Sequence, residues 1–83
     1  MRHYLEVNYD LLTMLRDASE LPCRDVESVE SLVSAGEWEL ALDTLCTQMD
    51  TYGIVPSDAG LKKLLSLGEE LGVDVRGLLR LSR

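Results

Sequence analysis

Ser34-Ala35-Gly36-Glu37-Trp38-Glu39-Leu40-Ala41-Leu42-Asp43-Thr44-Leu45-Cys46-Thr47-Gln48-Met49 is the stretch that decides the fold. Trp38, Ala41, Leu42, Leu45 and Met49 fall at i, i+3, i+4, i+7 and i+11. That spacing is one stripe along an α-helix, and it predicts a buried Trp38. Leu40 and Cys46 lie beside the stripe. Gly36 stands where a preceding helix would take a left-handed terminal residue, and Gly53 stands where this helix should stop. The expected helix therefore starts at about Glu37 and ends before Gly53.

Outward from it, the same periodicity recurs. Val26, Val29, Leu32 and Val33 predict a helix from about residue 24 to 35. Its three valines lower helix propensity, so it must lean on tertiary packing. Leu5, Leu11, Leu12 and Leu15, widened by Tyr4 and Met14, predict a first helix from about residue 2 to 18. Leu21-Pro22 breaks it, because the residue before proline is pushed out of helical geometry. After Gly53, Ile54-Val55-Pro56 reads as a short extended crossing. Ser57 is an expected N-cap, with Asp58 favourable in the first turn. Leu61, Leu64, Leu65, Leu67 and Leu71 carry a fourth helix to Gly72, and residues 75–81 can form a last short one. No alternating β-branched run competes. The fold class is all-α: residues 1–83 as a single compact domain, a bundle of four to five short helices with short loops. Its core is aliphatic, with no phenylalanine and one tryptophan.

Charge is unevenly spread along this bundle. The net charge is −7. Residues 1–16 sum to zero, residues 17–58 to −9 with Arg24 as their one base, and residues 59–83 to +2. A chain this acidic is not built to hold a phosphate backbone or an anionic membrane, since both need clustered bases. At 46% hydrophobic residues it is also too apolar for a disordered acidic tail. On the third helix Glu39, Asp43 and Asp50 fall along one side, and on the second Glu27, Glu30 and Ser34 share a face. The two helices are consecutive and expected to be antiparallel, so these rows can merge into one surface. Like charges four apart cost a helix about 0.2–0.5 kcal/mol. One reading of the acid is a solvated, solubilising face. The sharper one is a surface built to meet a basic partner.

Chemistry is thinly represented. The one histidine is His3, and Cys23 and Cys46 do not have CxxC spacing, so no zinc site is expected. No glycine-rich loop, HExxH, GxSxG, Glu-x-x-His pair or EF-hand loop appears. Paired acids can do acid–base work when burial shifts one of them, but these sit on the wet side of amphipathic helices. The expectation is a protein with no cofactor, no metal and no turnover. Cys46 reads as a small buried residue, Cys23 as an exposed thiol at a helix start. Arg76, Arg80 and Arg83 form a stripe favourable at a helix C-terminus. No signal peptide or membrane span is visible, so a cytoplasmic chain with reduced thiols is expected.

Residues 34–49 also carry a resemblance. Gly36-Glu37-Trp38-Glu39-Leu40-Ala41-Leu42 followed by Leu45-Cys46 and Gln48 is similar to the "GE-aromatic-xLAL-x-x-LC-x-Q" helix of the MafI-type immunity proteins of bacterial polymorphic toxin systems. An acidic helix ending in glycine precedes it, and an Ile-Val-Pro-Ser link follows. Leu67-Gly68-Glu69-Glu70-Leu71-Gly72 then resembles that family's "LGxxLG" segment. The resemblance spans roughly residues 25–75. It implies a protein that protects its producing cell by binding and inactivating a cognate secreted toxin domain, commonly a nuclease. It carries no residue-level toxin contacts.

Together these readings lead to an immunity protein acting by stoichiometric binding. Glu27, Glu30, Glu39, Asp43 and Asp50 would meet a basic toxin domain, with no direct contact to nucleic acid or membrane. The alternative is a general helical interaction module, a homodimer or complex subunit, using leftover leucines such as Leu40 or Leu67.

Overall fold

The computed structural model describes residues 4–79 and contains five helices: α1 (Tyr4–Asp17), α2 (Cys23–Ser34), α3 (Trp38–Thr51), α4 (Asp58–Leu71) and α5 (Val75–Leu78). The expectations placed on Arg2, His3, the Tyr4 side chain, Arg80, Leu81 and Arg83 lie outside the described residues. Among the described residues there is no strand. The chain is an all-α bundle, as its periodicity predicts.

Helix ends follow from short local rules. Gly36, Gly53 and Gly72 have φ of 76°, 69° and 76°. Each reverses the chain so that the next residue's N–H reaches back to a carbonyl five positions earlier. Those bonds are Glu37 to Leu32 at 2.9 Å, Ile54 to Met49 at 2.8 Å and Val73 to Gly68 at 2.8 Å. α4 begins at the expected cap, with Gly60 N–H donating to Ser57 Oγ at 3.1 Å. α5 has a cap the sequence reading missed: Gly77 N–H donates to Asp74 Oδ1 at 3.1 Å.

α3 is the hub. It packs against α1, α2, α4 and α5, most extensively against α2, while no Cα atom of α2 comes within 8 Å of one in α4 or α5. The core draws on every helix, with Leu11, Leu42, Leu45, Leu64 and Leu67 its largest fully buried side chains. Cys46 is fully buried, as expected, and Cys23 is exposed; both are free thiols.

Three core expectations are corrected. On α1 the buried stripe is Val7, Leu11, Met14 and Leu15, continued by Ala18 just past its end. Leu5 is 57% and Leu12 37% exposed, because they lie with Tyr9 on the opposite side of the helix. Trp38 is half-buried at the edge of the core, where its indole Nε1 donates to Asn8 Oδ1 at 2.6 Å. Leu67 is buried in the core, so of the two leftover leucines only Leu40 stays outside it.

Candidate functional site

The acidic residues sort by helix. Glu27, Glu30, Glu39 and Asp43 are exposed, and Asp50 is half-exposed. Glu27 and Glu30 line a shallow depression on α2 with Ser31, Ser34 and Ala35. Glu39 and Asp43 line a different one, beyond α3. Glu27 and Glu30 therefore line one concavity, and Glu39 and Asp43 another.

The second concavity is the better formed. It is an open groove of about 700 Å³ between the first turns of α3 and the α4–α5 connection. Gly36, Glu37, Trp38, Glu39, Leu40 and Asp43 form one wall, and Leu71, Gly72, Val73, Asp74 and Leu78 form the other. Four carboxylates line it and no Lys or Arg does. Its apolar side chains are Leu40, 52% exposed, the half-buried Trp38, Val73 and Leu78, and the buried Leu71. An exposed aliphatic side chain ringed by like charges is a small anchor with a charged rim.

Each wall is fixed by the fold. The Schellman turn at Gly36 delivers Glu37 to the N-cap of α3, and in the second turn of that helix Asp43 accepts a long bond from Thr47 Oγ1 at 3.4 Å. The bond from Trp38 to Asn8 ties this end of α3 to α1. Opposite, Gly68 O holds Val73 N–H and Asp74 caps α5. Asp43 also acts inward. Burial first, and the Asp43 charge second, push the Cys46 thiol up to about 12 from an ordinary 9.0. A thiol held neutral at any physiological pH is not a nucleophile.

One acid counted in the −9 segment is not on the surface. Asp25 is only 8% exposed and is the buried charged residue of the described chain. It sits in the first turn of α2, where the helix field favours a carboxylate. Its Oδ2 is buried without a hydrogen-bond partner. Hydrogen bonding to this carboxylate raises the pKa of the Tyr52 hydroxyl at the end of α3, while neighbouring Arg24 pulls the other way. Sequence periodicity gives no signal for Asp25, because an acid at a helix start reads as a solvated cap.

Among the described residues, no group of three His, Cys, Asp or Glu side chains is placed to hold a metal ion, and no helix is long and apolar enough to cross a membrane. No family model, curated protein or solved structure matches the chain.

Proposed function

We propose that this protein is an immunity protein that binds a cognate secreted toxin domain, a basic nuclease, and neutralises it by stoichiometric binding without turnover. The observation that carries the reading is the groove along α3: Glu37, Glu39, Asp43 and Asp74 surround Leu40 and Trp38, with no base among the lining residues. A nuclease that grips phosphates presents Lys and Arg, and a rim of carboxylates offers those side chains the charge they are built to hold. The resemblance of residues 34–49 to immunity proteins supports it from a different side, and six of those residues form one wall of the groove.

Within this reading the five acids divide their work. Glu39 and Asp43 meet basic side chains in the seated complex, around the Leu40 anchor. Glu27, Glu30 and Asp50 extend the negative field beyond the groove and act on encounter, because steering depends on the summed field more than on contact. The test is co-expression with a candidate toxin domain, followed by binding kinetics. The chain should rescue growth, and association should slow steeply as salt rises. The double variant Glu39→Lys/Asp43→Lys should fold, bind slowly and release quickly. A variant that captures and holds the domain like the wild type at low salt would sink the acidic-groove mechanism.

A further inference from the structure

Trp38 gives the groove a chemistry that its carboxylates alone do not. The indole Nε1 already donates to Asn8 Oδ1 at 2.6 Å, so the ring offers the groove carbon surface and no donor. The same bond ties that surface to α1 before anything arrives. Trp38 is packed against the core and lines the groove. Carboxylates stand on both walls: Glu37, Glu39 and Asp43 on one, Asp74 on the other. Among the described residues, no three acids converge where a metal ion could be held. Lys62 and Arg76, on α4 and α5, line a separate concavity and leave this one without a base.

We infer that the groove is an arginine site: one guanidinium of the partner lies against the Trp38 ring while its N–H groups donate to the groove's carboxylates. The inference rests on the groove being the face that meets the toxin domain. It adds which basic side chain seats there and which residue selects it. Two features choose arginine over lysine. The first is the spread of the acceptors. An ammonium is a compact, strongly hydrated point charge, suited to acceptors that converge. A guanidinium carries five donors in a planar fork and serves acceptors on more than one side of it. The second is the ring. A cation over an indole is attracted by its quadrupole, and tryptophan is the best of the aromatics. The guanidinium is the more weakly hydrated of the two cations, so it sheds water at smaller cost to lie flat on that surface. Leu40, 52% exposed, then covers the aliphatic stem of the same side chain. Both walls are fixed by bonds within this chain, so little ordering opposes the fit.

The sequence holds one tryptophan, so a two-dimensional ¹H–¹⁵N spectrum of the full chain has one indole signal, and it sits at the site. The probes are blocked tripeptides, glycine–X–glycine, with X as arginine, lysine or citrulline. Citrulline keeps the length and planar end of arginine and lacks its charge. The arginine peptide should shift the Trp38 indole signal and saturate with a Kd on the order of 1 mM. The lysine peptide should bind about threefold or more weakly, and the citrulline peptide should not bind. Glu39→Gln/Asp43→Asn should abolish the response. In Trp38→Leu, followed on the backbone signals of Leu40 and Asp43, arginine and lysine should become equal. The wild-type comparison decides the preference whether or not that variant folds. Equal binding of arginine and lysine by the wild type overturns the inference. So does citrulline matching arginine, a silent Trp38 signal throughout the titration, or an arginine preference that survives in folded Trp38→Leu. No toxin is present in this measurement. Growth rescue without an arginine preference would sink this inference and leave the proposed function standing. An arginine preference without rescue would do the reverse.

Discussion

Replacing Gly68 by alanine should destabilise the protein, against the usual rule for helices. Gly68 is buried inside α4, where alanine is ordinarily better by about 1 kcal/mol. Here a Cβ would lie 2.7 Å from the Val73 carbonyl oxygen and 2.7 Å from Val75 Cγ2. Neither neighbour is free to retreat. Val73 N–H is bonded to Gly68 O at 2.8 Å, and Val73 O accepts from Val75 N–H at 3.0 Å. Val75 is 2% exposed and opens α5. Relief requires prising the α4–α5 turn away from α4, and overpacking of this kind costs about 1–3 kcal/mol. Set against the propensity gain, the net loss is about 1 kcal/mol. For a chain of this length that lowers Tm by about 4–8 °C. A thermal melt followed by circular dichroism reads it directly, and urea unfolding should shift its midpoint at constant slope. A Tm equal to or above that of the wild type would show that the turn yields easily and that the close approach at Gly68 is not what sets the second wall of the groove.

Four further outcomes follow from single residues. Trp38→Phe and Asn8→Ala should each cost stability, and a double-mutant cycle should return a coupling of about 0.5–1.5 kcal/mol for the bond between α3 and α1; a coupling of zero would leave Trp38 as packing only. Gly72→Ala should cost about 1–2 kcal/mol, since nothing lies near its Cβ and the penalty is the left-handed backbone alone. Cys23 should react promptly with a thiol reagent in the folded protein while Cys46 reacts only on unfolding. Because folding raises the Cys46 pKa to about 12, the unfolded chain loses that proton first as pH climbs. The associated stability is complete below about pH 9 and is lost as pH rises through 12, so Tm should fall across that window and fall less steeply in Cys46→Ala.

The helices were legible because their signals are local. Gly36, Gly53, Gly72 and Ser57 each act through bonds within five residues, and each ends or starts a helix where the sequence places it. α1 shows where legibility stops. Leu5 and Leu12 are seven apart and Leu11 and Leu15 four apart, so all four satisfy a helical period, yet the pairs lie on opposite sides. Period reveals that a face is apolar; only the neighbours decide which of two apolar faces turns inward. The buried set wins by continuing through Ala18 to Leu21, where the chain turns into α2. The groove was half legible. Glu39 and Asp43 share a side of α3 by spacing alone, whereas Asp74, Leu78 and Gly72 reach the same concavity from a different part of the chain. Asp25 goes unsignalled for the same reason: its burial is set by how the start of α2 meets the end of α3, which no spacing within either helix encodes.

Two explanations of the acidity now make different numerical claims. If the carboxylates serve solubility alone, Glu27/Glu30 and Glu39/Asp43 are interchangeable. Reversing either pair would then change the net charge by the same amount and nothing else. The groove gives them unequal neighbours. Glu39 and Asp43 border Leu40 and face Asp74 across a concavity, while Glu27 and Glu30 flank serines and Ala35 on a shallow surface. A charge desolvated beside an apolar anchor contributes to the seated complex, and its loss shows in the dissociation rate at about 2–5 kcal/mol when the pair is buried. A charge on open surface contributes only to encounter, which salt removes. Reversing Glu27 and Glu30 should therefore slow association with a basic toxin domain at low salt and leave dissociation unchanged. Reversing Glu39 and Asp43 should do the same to association and also speed dissociation, an effect that persists at high salt. Stopped-flow association paired with competition-driven release separates the two rates. Equal effects from the two pairs, confined to association, would mean that the groove is not where the partner sits.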